Sequence, residues 1–135
     1  MLQPSQLRTQ FSVLVADDVD EIRNLAAQWL TPRGFHVVGA STGNEALKLA
    51  RHEHFDLVVA DVLMPDGDGL DIIRELKGKV GSPPILAISG GGRYMNATAC
   101  ITLASGFGAD AVLLKPFNEA QFFTAVERAL QKDNH

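Results

Sequence analysis

Phe11-Ser-Val-Leu-Val-Ala-Asp-Asp18 is an almost unbroken apolar run that ends on two carboxylates. The construction recurs as Leu57-Val-Val-Ala-Asp61, Ile85-Leu-Ala-Ile-Ser89 and Ala111-Val-Leu-Leu-Lys115. Short apolar runs without polar alternation are the pattern of strands covered by helices on both faces. Each run closes on a residue able to do chemistry, which predicts that Asp17, Asp18, Asp61, Ser89 and Lys115 sit at one end of one sheet. In an open parallel sheet, ligands bind outside the carboxyl ends of the strands, where the strand order reverses. Residues far apart in sequence are therefore expected to converge on a site.

Between the runs the period changes. Ile22, Leu25, Ala26, Trp29 and Leu30 recur at helical spacing and stop near Thr31-Pro32-Arg-Gly34, with the tryptophan read as core. His36 to Ala40 reads as a second strand, and Ser41-Thr-Gly-Asn44 leads into a helix carrying Ala46, Leu47, Leu49 and Ala50. Asp56 to Asp61 is the third strand. Residues 68–77 form a helix with Leu70, Ile73 and Leu76 inward, broken by Gly78-Lys-Val-Gly-Ser-Pro-Pro84. After Gly90-Gly-Gly92 the spacing predicts a helix from Met95 to Leu103. Gly106 and Gly108 then lead to the fifth strand, and a final helix carries Phe122, Phe123, Val126 and Leu130. Strands alternating with helices imply right-handed crossovers and a parallel sheet. Five such units fit an α/β, flavodoxin-like (βα)5 doubly wound sandwich, with strand order 2-1-3-4-5 and helices on both faces. Residues 1–10 read as a flexible tail, 11–131 as one domain and 132–135 as a C-terminal tail, with no output domain expected.

Composition narrows the function classes. The 135 residues are 46% hydrophobic and 21% charged, which describes a globular chain able to bury a core. A net charge of −4 without a basic stripe argues against direct contact with nucleic acid. Cys100 is the single cysteine, which excludes an internal disulfide and any multi-cysteine metal site, and it reads as a small buried apolar residue. His36, His52, His54 and His135 show no metal spacing beyond a weak His-x-His and read as surface or strand-edge residues. The N-terminus lacks the apolar region of a signal peptide, and no stretch approaches the roughly 18 apolar residues of a membrane span. A cytoplasmic protein with no membrane contact is expected.

Three carboxylates held together repel one another, so at least one pKa should rise unless a cation intervenes. Magnesium takes oxygen ligands, prefers one or two protein carboxylates plus waters, and shares its remaining positions with phosphate oxygens. Adding the Ser89 hydroxyl and the Lys115 ammonium suits the site to phosphoryl transfer, where the protein positions groups and neutralises charge. A carboxylate can itself be the nucleophile and give an aspartyl-phosphate.

These residues resemble the receiver domains of two-component response regulators, similar to the single-domain chemotaxis type. The family pattern is an acidic pair after the first strand, Asp after the third, Ser or Thr after the fourth and Lys-Pro after the fifth. Here these are Asp17-Asp18, Asp61, Ser89 and Lys115-Pro116, and Asp61-Val-Leu-Met-Pro-Asp-Gly-Asp-Gly69 matches the family stretch D-x-x-M-P-x-x-D-G. The resemblance runs from about Phe11 to about Leu130. It implies that Asp61 accepts a phosphoryl group from a histidine kinase or histidine phosphotransferase. It also implies that Asp18, Asp61 and the Leu63 carbonyl ligate Mg²⁺, with Asp17 acting mostly through water, and that Ser89 and Lys115 contact the phosphoryl oxygens. Such a protein catalyses its own phosphoryl transfer and slow dephosphorylation without being a turnover enzyme. It signals to a downstream protein, as a monomer or a weak phosphorylation-dependent dimer.

Taken singly, several residues have plainer readings. Asp20 reads as a helix N-terminal acid, and Asp66 and Asp68 as turn formers beside Gly67 and Gly69, with Asp68 a candidate N-cap. Met64-Pro65 reads as a stiff turn. The chain also departs from the family: Val112 stands where receivers commonly carry an aromatic that reports phosphorylation. Gly90-Gly-Gly92, the helix after it and Tyr94 are the expected substitutes. Leu63 and Gly91 offer no polar group to orient water, which predicts a long-lived phosphoryl state. Two rivals are a receiver-like scaffold that is never phosphorylated and a haloacid-dehalogenase-type phosphatase built on Asp18-Val-Asp20.

Overall fold

The computed structural model describes residues 11–64, 69–90 and 96–132. Their strands β1 (Phe11–Ala16), β2 (Phe35–Ala40), β3 (Leu57–Asp61), β4 (Ile85–Ser89) and β5 (Ala111–Leu114) form one parallel sheet in the order β2-β1-β3-β4-β5. The helices are α1 (Asp20–Leu30), α2 (Gly43–His52), α3 (Gly69–Lys77), α4 (Ala97–Phe107) and α5 (Glu119–Lys132). This is the flavodoxin-like order that the alternation predicts.

The side-chain period of two divides the core. Val13, Val15, Leu57, Val59, Leu86 and Ile88 pack against Leu30 of α1 and Phe122 and Val126 of α5. Leu14, Ala16, Val58, Ala60, Ile85 and Ala87 face the other way, against Ala46 of α2, Ile73 of α3 and Ala104 of α4. Both faces of the central strands are therefore sealed, which is why their sequences are continuous apolar runs. Trp29 belongs to the core as expected, its ring 6.1 Å from that of Phe117 and 5.5 Å from that of Phe122.

Local chemistry sets the boundaries. Thr42 accepts the Glu45 N–H at 3.1 Å while the Glu45 carboxylate accepts the Ser41 N–H at 2.8 Å, a reciprocal cap that starts α2. The helix expected over Met95 to Leu103 instead runs from Ala97 to Phe107. Asn96 caps it by accepting the Ala99 N–H at 2.8 Å, and Gly108 ends it at φ 116°, so Gly106 is a helical residue and not a breaker. Strand β2 begins one residue earlier than expected, at Phe35, and β3 one later, at Leu57.

His36, His52 and His54 are exposed, as surface residues should be. The readings made for residues 1–10, Pro65, Asp66, Gly67, Asp68, Gly91, Gly92, Tyr94, Met95, the Cys100 side chain and His135 fall outside the described residues. Among the described residues no helix is long and apolar enough to cross a membrane.

Strand register positions the site. Ala16 pairs with Ala60, Asp61 with Ile88, and Ser89 with Leu114. The carboxyl ends of four strands are thus nearly level, and the residues that close them meet at one edge.

Candidate functional site

Asp17, Asp61 and Ser89 are the buried polar residues among those described, at 1%, 6% and 3% exposure, and all three lie at this edge. Oxygens of Asp17, Asp18 and Asp61 lie within 4.8 Å of one another. Lys115 reaches in from the end of β5, its Nζ donating to Asp61 Oδ2 at 3.2 Å and lying 3.1 Å from Asp17 Oδ2. Its own N–H donates to the Ser89 carbonyl at 2.9 Å, which ties the ends of β4 and β5 together. Asp17, Asp18, Asp61, Ser89 and Lys115 are thus gathered at one edge. Leu63 follows immediately, its N–H donating to Asp61 Oδ1 at 3.2 Å.

The charges are not balanced. Burial pushes the Asp61 carboxyl up from 3.8 to about 6, repulsion from Asp17 adds to the rise, and Lys115 and the Leu63 N–H only partly oppose it. Lys115 is raised in turn: burial alone would lower it, but the two carboxylates outweigh burial. Asp17 Oδ1 accepts the Val19 N–H at 2.9 Å. Asp17 Oδ2 is buried, and the charge facing it is the Lys115 ammonium at 3.1 Å, which it shares with Asp61. Three clustered carboxylates facing one shared ammonium leave a surplus of negative charge that a cation would balance. The donor set is all oxygen, which suits Mg²⁺ or Ca²⁺ and not a soft metal.

Two residues that the sequence reading did not assign to the site shape it. A Cβ on Gly69 would lie 1.8 Å from the Asp61 carbonyl oxygen, so the first turn of α3 packs directly on the backbone that carries Asp61. The Gly69 N–H donates to the Val62 carbonyl at 2.9 Å, holding that approach. The sequence trace was the last glycine of the stretch Asp61–Gly69, which on its own reads equally well as turn chemistry. Arg23 on α1 donates to the Asp17 carbonyl at 2.6 Å and pairs with Asp20. Its trace was an acid and a base three residues apart on a helix, a pattern more often confined to the surface.

Asp20 stands in the first turn of α1, as expected, with its carboxylate turned to Arg23. Asp20 is not among the clustered carboxylates, which are Asp17, Asp18 and Asp61.

A family model for the response regulator receiver domain matches residues 13–127. A probable transcriptional regulator, ycf27, of Guillardia theta is 32% identical over 128 residues, covering 95% of this chain and 48% of that protein. The chain spans about half the length of the curated relatives it matches. Among solved structures, the chemotaxis response regulator CheY4 of Vibrio cholerae superposes with a TM-score of 0.79 at 28% identity, covering 90% of this chain and all of that one. A response regulator from Burkholderia pseudomallei, solved with a phosphorylated aspartic acid, calcium ion and citrate, gives 0.77 at 29% identity, covering 93% of this chain and 71% of that one.

Proposed function

The chain belongs to the response regulator receiver domain family, and from that premise we propose that Asp61 accepts a phosphoryl group from a phosphohistidine on a histidine kinase or histidine phosphotransferase. One observation carries the reading: a carboxylate cluster of Asp17, Asp18 and Asp61 whose charge the single ammonium of Lys115 does not balance. Asp17, Asp18, Asp61 and the Leu63 carbonyl would hold Mg²⁺, which when bound neutralises phosphoryl oxygens and lets Asp61 stay ionised.

The rest is work for the chain's own residues. An Asp61 oxygen attacks phosphorus, an O–P bond forms, and the P–N bond breaks as the donor imidazole leaves with its electron pair and takes a proton. The Lys115 ammonium, already 3.2 Å from Asp61, swings its charge to the incoming phosphoryl oxygens, and the Ser89 hydroxyl donates to another. The product carries up to about two negative charges and three acceptor oxygens, enough to draw Ser89 and Lys115 into a new arrangement. Hydrolysis is slow because Leu63 and Gly91 offer no polar group to orient water.

Output passes to a downstream protein through α4, β5 and α5. Val112, in place of the usual aromatic, is half-buried there beside a cavity of about 430 Å³ lined by Ser105, Ala109, Ala111 and Arg128. The switch is expected to run through Gly90-Gly-Gly92 and the helix that follows, with Tyr94 as the aromatic that reports it.

Incubation with Mg²⁺ and acetyl phosphate, followed by intact mass, tests the proposal. A Mg²⁺-dependent gain of one phosphoryl group, absent in Asp61→Asn, is expected. No gain from acetyl phosphate or from a phosphorylated histidine phosphotransferase would favour the scaffold reading instead.

A further inference from the structure

We propose that Arg23 is a positioning residue for the divalent-cation site, fixing Asp18 through the backbone and leaving its carboxylate open. The inference rests on the reading that this edge of the sheet holds Mg²⁺. Among the described residues no side chain holds the Asp18 carboxylate, which is exposed yet lies within 4.8 Å of its Asp17 and Asp61 counterparts. The backbone therefore sets the point from which it departs. The Asp17 carbonyl and the Asp18 N–H share one rigid peptide plane, so a grip on that carbonyl fixes the plane from which the Asp18 side chain departs.

Arg23 supplies the grip. Its Nη1 donates to the Asp17 carbonyl at 2.6 Å, while Nη2 pairs with Asp20, outside the cluster. The planar guanidinium reaches both in one fixed fork, which a lysine ammonium does not reproduce. Its side chain is only 21% exposed, and the stem runs over β2, where a Cβ at position 39 would sit 3.5 Å from Arg23 Cδ. On the other side of the loop, the Asp17 N–H donates to the Ala40 carbonyl at 3.1 Å. The acidic loop is thus clamped from α1 and from β2, and none of the three site carboxylates is used in either clamp.

The test is Mg²⁺ affinity by titration calorimetry, on wild type, Arg23→Met, Arg23→Lys and Arg33→Met. Arg33 packs over the Phe123 ring at 3.5 Å and pairs with Glu119, so its loss perturbs packing without touching the loop. Residues that orient ligands typically govern metal affinity by 10- to 100-fold, and Arg23→Met should weaken Mg²⁺ by about 10-fold. Arg23→Lys should fall between it and wild type, and Arg33→Met should bind as wild type does. Wild-type affinity in folded Arg23→Met overturns the proposal, as it does in Arg23→Lys should the methionine variant not fold. An equal loss in Arg33→Met also overturns it, since that marks a general effect of stability. A wild type that binds Mg²⁺ but gains no phosphoryl group would sink the proposed function and leave this inference standing. A phosphorylated wild type with unchanged Arg23→Met affinity would do the reverse.

Discussion

Aspartates stand at both ends of this sheet, and the two ends treat them differently. At the amino end, Asp56 donates its N–H to the Ser12 carbonyl at 2.7 Å and takes the Ser12 N–H on Oδ2 at 2.8 Å. Asp110 does the same with Ile85, at 2.8 Å in each direction, and Lys77 lies 2.6 Å from its carboxylate. Each starts a strand by completing the ladder of its neighbour. At the carboxyl end Asp17 and Asp61 share one ammonium between them, and burial and repulsion raise the Asp61 pKa. One residue type thus builds structure where its partners suffice and makes a reactive site where they do not.

The contrast breaks most completely at Gly69. Gly69→Ala puts a methyl 1.8 Å from the Asp61 carbonyl oxygen, so either α3 retreats or Asp61 moves. Overpacking of this kind costs roughly 3 kcal/mol, and a displacement of about 1 Å at a reacting group costs roughly 100-fold in rate. Urea melts and acetyl phosphate labelling should both fall, with labelling the more severely affected.

Asp110→Ala tests the other end. It uncaps the Ile85 N–H and leaves Lys77 half-buried without its carboxylate, which should cost about 2 kcal/mol. Labelling should stay within about 2-fold of wild type at temperatures where the variant is folded. A loss of labelling as large as that of Gly69→Ala would show that the ends are not separable.

The sequence showed one end more clearly than the other. Apolar runs capped by Asp17, Asp61, Ser89 and Lys115 are visible because strands buried on both faces must be continuous, and residues that close level strands must meet. Asp56 and Asp110 precede their runs just as regularly, but an aspartate before a strand reads as a turn former until the neighbouring N–H is located. Arg23 was harder still, and Gly69 was visible as the last residue of a motif but not as a packing contact. A close backbone approach and a grip on a carbonyl are properties of main-chain position, and residue identity carries little trace of them. The fourth helix was misplaced for a related reason, since glycine inside a helix and glycine at its end look alike in a sequence.

Asp61→Asn gives the smallest effect on stability and the sharpest comparison, because it should stabilise the fold while abolishing function. With its carboxyl at about 6 when folded and 3.8 when unfolded, Asp61 binds more protons in the folded state between those values. Stability therefore falls as pH rises through that window, and the deficit persists above it. A shift of about two units corresponds to at most roughly 3 kcal/mol, and the variant forfeits part of the contact with Lys115, so a net gain on the order of 1 kcal/mol is expected above pH 6. The gain should vanish below about pH 4, where the wild-type carboxyl is neutral in both states. Mg²⁺ should reverse the order above pH 6, raising the wild-type melting temperature well beyond that of the variant, because the cation binds the charge that the fold alone leaves unbalanced. Asp110→Asn, at the amino end, should lose stability under the same conditions and gain nothing from Mg²⁺ beyond the wild-type increment. Thermal melts of the three proteins with and without Mg²⁺ decide the matter: a destabilised Asp61→Asn above pH 6 would mean that Lys115 balances the site after all.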